Sequence, residues 1–337
     1  MTPVIVITGF LGSGKTTLLK RILQNDNGLR IAVIQNEFAE EMGIESPVIT
    51  DQVGVLHEEI YQIYPQNGST FDDFYELPNG CICCTVKSDL LVALERLVAR
   101  QQLVGPFDYI VVEANGVADP INVIQTFWVD EELHSNVQIA GVIGVVDTSR
   151  FQQLLETNTL QSDLVKQIAC CNRILLNKSD LVNSTTTVEA MIRGLNPEAD
   201  LLITNFCSAS LKELLRFEST YTVPDVSPGP PHSWARSILL KTSKVQSLRR
   251  LNAEIGRLLW DSNFGPRIYR FKGLILTRVD MEEYQREGEV EAWCSLQGVG
   301  DAFEWHVVEN GIVPATAESR LLFVGEELDD SQLDIFD

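Results

Sequence analysis

Residues 4–17, VIVITGFLGSGKTT, decide the fold of this 337-residue chain. A β-branched apolar run, Val4 to Ile7, leads into Gly9-Phe10-Leu11-Gly12-Ser13-Gly14-Lys15-Thr16, and an apolar-periodic segment from Leu18 to Leu23 follows. Strand, G-x-x-x-x-G-K-[ST] loop and helix in that order form a phosphate-binding P-loop. Gly9, Gly12 and Gly14 let the backbone curl so that successive N–H groups, that of Ser13 among them, face one anion. The helix beginning near Lys15 adds its positive end to the same point. Lys15 is expected to reach the β- and γ-phosphates and Thr16 to ligate Mg²⁺, with Thr17 beside them in the nucleotide contact. The ligand read from this stretch is a nucleoside triphosphate.

Length makes two domains the default. A formal charge of −21 argues against a nucleic-acid partner, which needs a basic stripe to displace counterions. The acidic residues from Glu326 to Asp337 read as a solvated, frayed tail. Met1 and Thr2 run directly into the first buried strand, leaving no room for a basic region and a cleavable apolar one. No apolar run has the length of a membrane span; Ile139 to Val146 is strand-sized. The seven cysteines are odd in number, and three crowd into Cys81-Ile82-Cys83-Cys84. That fits a reducing compartment, read as the cytosol, better than a secreted disulfide framework.

Strand-like and helix-like runs alternate through the first two thirds: Ile31–Gln35, a helix at Ser88–Val98, Tyr109–Val112, a helix near Ile121–Trp128, Ile139–Val146, a helix around Arg150–Ile168, Arg173–Leu176, a helix near Thr187–Leu195, and Leu201–Thr204. Continuous apolar strands separated by helices predict an α/β fold, a parallel sheet with helices on both faces. The alternation stops at Pro224-Asp225-Val226-Ser227-Pro228-Gly229-Pro230-Pro231. The domains expected are therefore 1–222, a Pro-rich linker at 223–235, and a smaller α+β domain at 236–337. In the last of these, Ser237–Thr242, Lys272–Thr277 and Arg320–Val324 read as strands around one helix, Ser247–Leu259.

Asn177-Lys178-Ser179-Asp180 follows the strand Arg173–Leu176 directly. N-K-x-D at such a place reads guanine, because an Asp carboxylate accepts from both N1–H and the exocyclic amine, a donor pair adenine lacks. Asn177 would bridge loop and base, and the Lys178 stem would lie along the purine. Ser208-Ala209, after the strand Leu201–Thr204, stands where a backbone N–H can meet the guanine O6. Tyr109-Ile110-Val111-Val112-Glu113 ends a strand in a carboxylate able to hold Mg²⁺ through its water, opposite Thr16. Gly116 suits a backbone that swings toward a γ-phosphate. Lys15 and Glu113 are the expected catalytic pair.

Cys81, Cys83 and Cys84 sit among polar neighbours before a helix, and thiolates are soft ligands that favour Zn²⁺ or similar ions over Mg²⁺. Metal binding is the favoured reading; a redox dithiol and buried small residues are the alternatives. Adjacent Cys83 and Cys84 pair only with strain, which disfavours the dithiol. Three thiols leave a tetrahedral ion one ligand short, and Glu37, Glu40 or a water could complete it. Cys170-Cys171 fits the end of a buried helix.

GFLGSGKTT (9–17), QNEFAE (35–40), GCICC (80–84), EANGVADP (113–120) and NKSD (177–180), in that order, closely resemble the CobW-type metal-chaperone GTPases, relatives of the urease and hydrogenase maturation GTPases. The resemblance extends more weakly to Ile268–Gly273 and Leu321–Gly325. It implies GTP with Mg²⁺ at the P-loop and a transition metal, Zn²⁺ or Co²⁺, at Cys81, Cys83 and Cys84. It also implies hydrolysis coupled to metal delivery to a client metalloenzyme or apo-protein; from charge and hydropathy no nucleic-acid or membrane partner is expected, and a homodimer is left open. Three positions depart from the family pattern: Ala39 replaces a glycine, and Ala114 and Asn115 replace small hydroxyl residues. All three lie in segments expected to sense the γ-phosphate. Only His232 stands near the linker, where many members carry a His-rich stretch. The alternative reading is a GTP-regulated interaction module with a structural zinc.

Overall fold

Val4, Ile5, Val6 and Ile7 are all fully buried, although successive side chains of a strand point to opposite faces. The strand that carries them, β1 (Thr2–Thr8), is thus covered on both sides, as its unbroken apolar run requires. The computed structural model describes residues 1–24, 29–35, 75–76, 86–114, 116, 119–129, 136–157, 161–217, 235–260, 267–280, 289–308, 318–329, 333 and 335–336. They belong to two compact units. One comprises Met1–Gln167, Asn172–Thr185 and Leu201–Phe217; the other Ile168–Cys171, Thr186–Asp200 and Glu218–Asp337. The residues expected as a linker fall almost wholly outside those described.

After β1 come α1 (Lys15–Leu23), β2 (Ile31–Gln35), β3 (Tyr75–Glu76), α2 (Val86–Val104), β4 (Tyr109–Glu113) and α3 (Pro120–Val129). The chain continues through β5 (Val137–Asp147), α4 (Phe151–Leu155), α5 (Gln161–Cys170), β6 (Arg173–Asn177), α6 (Thr186–Leu195), β7 (Asp200–Ile203) and α7 (Leu211–Leu215). The seven strands lie in the order β3-β2-β4-β1-β5-β6-β7, and the pairs from β3 through to β6 are parallel. Because β4 and β5 flank β1 from opposite sides, the carboxyl end of β1 is a topological switch point, where such sheets bind ligands. Register brings Glu113 beside Ile7 and Asp147 beside Asn177, along that one edge.

Ile5 and Ile7 pack with Val33, Val111, Ile143, Val145 and Leu175 against Leu18, Leu19 and Ile22 of α1 and Leu211, Leu214 and Leu215 of α7. α7 was not anticipated from the sequence. A capping box starts it: Glu213 N–H donates to Ser210 Oγ (3.2 Å), and Ser210 N–H donates to Glu213 Oε2 (2.9 Å). The single helix expected over Arg150–Ile168 is two. Thr157 turns its hydroxyl back onto Gln153 O (3.0 Å), and Thr157-Asn158-Thr159 are poor helix formers. No helix among the described residues is long and apolar enough to cross a membrane.

In the second unit, β8 (Ala235–Thr242), β9 (Gln246–Ser247), α8 (Leu248–Trp260), β10 (Arg267–Asp280), β11 (Glu289–Val299), β12 (Ala302–Val307) and β13 (Ser319–Glu326) follow one another. Five strands run antiparallel in the order β12-β11-β10-β13-β8, and β9 pairs with β10 in parallel. Leu251, Ile255 and Leu258 of α8 cover Ile268, Phe271, Ile275, Leu296, Leu321 and Phe323. β11 and β12 escape the sequence reading because charged and polar residues break up their apolar runs. The frayed tail is corrected as well. Leu328, Leu333 and Ile335 are buried in this second core, and Arg236 Nε donates to Leu328 O at 2.6 Å.

The carboxyl end of α5 is closed by two side chains of the same unit. Asn196 Nδ2 donates to Ile168 O and Cys171 O (both 2.8 Å), and Arg270 Nη1 donates to Cys171 O (2.7 Å). These bonds satisfy carbonyls that a helix end leaves without partners. Cys170 and Cys171 are buried there, and burial pushes the Cys171 thiol far above its ordinary range. They pack rather than react, as their position suggested.

Candidate nucleotide site

Gly9 (φ 143°), Gly12 (φ 73°) and Gly14 (φ 115°) all hold the left-handed backbone that only glycine adopts freely. Two of them are also fixed by close approach. A Cβ on Gly9 would strike Val145 O of β5, and one on Gly14 would stand 2.5 Å from Asn177 Nδ2. The loop is closed by Ser13 N–H donating to Phe10 O (3.1 Å), and α1 begins as Leu18 N–H donates to Gly14 O (2.9 Å). Lys15 is buried, with Nζ donating to Phe10 O at 3.3 Å across the loop. Thr17 is exposed on the first turn.

The buried hydroxyls Thr8 Oγ1 and Ser13 Oγ have no hydrogen-bond partner among the described residues. Leaving a buried donor unsatisfied is costly, so two of them at a loop of this geometry fit a ligand rich in acceptor oxygens, such as a phosphate chain. Thr16 Oγ1 donates to Glu113 Oε1 at 3.2 Å, and Glu113 is buried. A hydroxyl and a buried carboxylate meeting beside a phosphate loop are the oxygen donors Mg²⁺ takes. The chain therefore fits the ion.

Beyond Glu113, Ala114 N–H donates to Ile7 O (2.8 Å). Gly116 lies against the P-loop itself: a Cβ there would come 2.9 Å from Leu11 N. Gly116 O accepts from Gln167 Nε2 (3.0 Å). Asp119 accepts from Ile121 N–H (2.9 Å), capping α3, and pairs with Lys166 (2.9 Å). Lys166 and Gln167 of α5 thus hold the segment expected to sense the γ-phosphate. Sequence reasoning gave them no role, because nothing local marks them.

Asn177 is buried and bridges two loops. Nδ2 donates to Ser13 O (2.9 Å), and Oδ1 accepts from Cys207 N–H (2.8 Å). Its carbonyl accepts from Thr148 N–H (3.0 Å) and Oγ1 (2.8 Å). Lys178 follows in a left-handed conformation with Nζ 2.7 Å from Asp147 Oδ2. Asp180 is exposed and its N–H donates to Asn205 Oδ1 (3.0 Å), which also accepts from Ser179 Oγ. Ser208 N–H donates to Asn205 O at 3.0 Å, and Ala209 packs against the first core. Burial pushes the Cys207 thiol up to about 12, so it packs, with Sγ 3.4 Å from Gly14 O.

Asp147, Asn205 and Cys207 were missed. Val145-Val146-Asp147 ends a strand in a carboxylate just as Val111-Val112-Glu113 does, a signal that could have found the first. Cys81, Cys83, Cys84, Glu37, Ala39 and Asn115 lie outside the described residues. Among those described, no group of three or more His, Cys, Asp or Glu side chains could hold a metal ion.

Residues 3–203 match the family model of the CobW/HypB/UreG nucleotide-binding domain. The chain belongs to the CobW/HypB/UreG family. It is 37% identical over 207 residues to the zinc-regulated GTPase metalloprotein activator 1 of Schizosaccharomyces pombe, covering 60% of this chain and 46% of that protein. The Saccharomyces cerevisiae protein of the same name is 27% identical over 379 residues, 98% of this chain and 82% of its own. The zinc chaperone CobW of Pseudomonas aeruginosa is 34% identical over 220 residues, 58% of this chain and 54% of its own. The chain thus spans about half the length of the first and last of these relatives. The crystal structure of the Zn(II)-bound YjiA GTPase from E. coli superposes with a TM-score of 0.70 at 25% identity, over 98% of this chain and 97% of that one. The fold is that of a P-loop GTPase of the CobW type with a C-terminal antiparallel-sheet domain.

Proposed function

We propose that this chain binds and hydrolyses GTP with Mg²⁺ and couples hydrolysis to carrying a transition metal, zinc or cobalt, to a client protein in the cytosol. The observation that carries the nucleotide half is the bond from Asn177 to Ser13 O. It makes the N-K-x-D segment part of the phosphate site, where a chance polar turn would have no reason to touch the P-loop. Support for the metal half comes from relatives named as zinc chaperones and zinc-regulated activators, and from the C-x-C-C motif at residues 81–84.

The loop N–H groups and Lys15 bind the phosphate chain and neutralise charge that grows toward the leaving oxygens. Thr16 and Glu113 would hold Mg²⁺, which supplies further charge neutralisation when bound. Asn177, Lys178 and Asp180 orient the base, with a backbone N–H near Ser208 and Ala209 meeting O6. Cys81, Cys83 and Cys84, with Glu37 or a water, hold the cargo ion in an incompletely enclosed site from which it can leave. Gly116, packed on Leu11, is the backbone through which nucleotide state reaches the neighbouring segments.

The test is a zinc titration of Cys83→Ala/Cys84→Ala. Tight zinc binding should vanish while GTP affinity stays as in the wild type; retained zinc affinity overturns the assignment. Chelation of the wild type separates the remaining alternative. A cargo ion leaves the melting temperature unchanged, whereas a structural zinc in a GTP-regulated interaction module would lower it sharply.

A further inference from the structure

Asp147 closes β5 with a buried carboxylate, directly after the fully apolar Val145 and Val146. Oδ1 accepts from Ser149 N–H (3.1 Å) and Ser149 Oγ (2.6 Å), and Oδ2 meets Lys178 Nζ at 2.7 Å. The Lys178 side chain is 34% exposed, so a buried anion holds a lysine that solvent could otherwise take. Burying a charge for stability alone is a poor bargain, because an apolar residue at the end of an apolar strand serves as well. The lysine is unusual too. Its backbone is left-handed (φ 58°, ψ 34°), a conformation uncommon outside glycine that persists only where the surroundings over-determine it.

Two consecutive residues are gripped from one strand end. Asp147 stands in register with Asn177. Thr148 bonds the Asn177 carbonyl through both N–H and hydroxyl, and Asp147 takes the next residue's amine. The Thr148 bonds fix the main chain of the base-reading turn; the Asp147 bond fixes the direction of the Lys178 stem.

We infer that Asp147 is a positioning residue for purine recognition, holding the Lys178 stem along the face of the base. The inference rests on the guanine-nucleotide reading above. It adds a residue outside the N-K-x-D motif, acting through Lys178 and without touching the nucleotide.

A double-mutant cycle tests it in the full-length protein. Asp147→Asn keeps the Ser149 contacts but removes the charge, and Lys178→Met keeps the stem but removes the amine. Each should raise Kd and KM for GTP about tenfold, the scale of one charge-assisted hydrogen bond. The saturating hydrolysis rate of Asp147→Asn should stay within about twofold, and the double variant should bind no worse than the weaker single. An unchanged Kd, factors that multiply to about a hundredfold, or a loss confined to kcat overturns the inference. Should Asp147→Asn fail to fold, Asp147→Ser takes its place in the cycle and is read against the same outcomes. Wild-type preference for GTP over ATP is measured alongside. Its absence would remove the guanine reading, and the cycle would then be scored on whichever purine nucleotide binds.

Discussion

Thr16 Oγ1 and Glu113 Oε1, one on the first turn of α1 and one at the end of β4, meet at 3.2 Å. Parallel pairing of β1 with β4 sets this contact, because Glu113 lies in register with Ile7, two residues before the loop begins. The sheet therefore fixes the Glu113 half of the oxygen pair, and the first turn of α1 supplies the other. Glu113→Gln should raise the Mg²⁺ concentration needed for half-maximal GTP hydrolysis by tenfold or more, roughly the loss of one charged ligand contact. Nucleotide binding in the absence of Mg²⁺ should change little. Hydrolysis titrated with Mg²⁺ checks the first point and equilibrium binding in chelator the second.

Asn177 serves two loops at once, so its removal should cost both stability and affinity. Asn177→Ala loses the bonds to Ser13 O and Cys207 N–H, leaving buried partners unsatisfied. A destabilisation of about 2 kcal/mol is expected by denaturant unfolding, together with weaker GTP binding. Asp180→Asn should fold normally, since Asp180 is exposed, and should shift preference from guanine toward xanthine nucleotides. Competition between GTP and XTP reads that shift.

The acidic carboxyl-terminal segment should behave as core. Leu333 is buried within the second unit's cluster, so Leu333→Ala is expected to cost about 3 kcal/mol of that unit's stability. Urea unfolding followed by tryptophan fluorescence measures it. A segment without structural role would show no change.

The Asp147 carboxyl is held below its ordinary value of 3.8: burial alone would raise it, but the Lys178 hydrogen bond and charge and the Ser149 bonds lower it further than burial raises it. A depressed folded value means stability that is fully present above pH 3.8 and lost as pH falls through the lower folded value. The stability gap between wild type and Asp147→Asn should hold from neutral pH down to about 4 and close below it. Acid titration of both proteins by circular dichroism tests the sign.

What could be read from the sequence was what is local in it. Gly9 to Thr17 carry their own geometry, and Asn177 to Asp180 carry theirs, so the P-loop and the N-K-x-D turn were both legible. Asp147, Asn205, Cys207 and Gln167 were not, because each acts across the sheet or between loops, on residues 25 to 193 positions away in the P-loop, its flanking segment or the N-K-x-D turn. The long helix expected at Arg150–Ile168 failed for a different reason. Leu154, Leu155, Leu164 and Val165 keep helical spacing in two separate segments, and periodicity alone does not see the Thr157 back-bond that ends the first. In the second unit, charge masked the tail's apolar residues. Leu328, Leu333 and Ile335 are few among acidic neighbours, yet each one is buried.

The account turns on communication between the triphosphate cradle and the cysteine cluster. Zinc affinity measured by competition with a chromophoric chelator, once with a non-hydrolysable GTP analogue bound and once with GDP, addresses it most directly. A difference of about a hundredfold, equivalent to roughly 2.7 kcal/mol of coupling, is expected, and zinc should tighten the analogue by the same factor. Equal zinc affinities in the two nucleotide states would contradict the account.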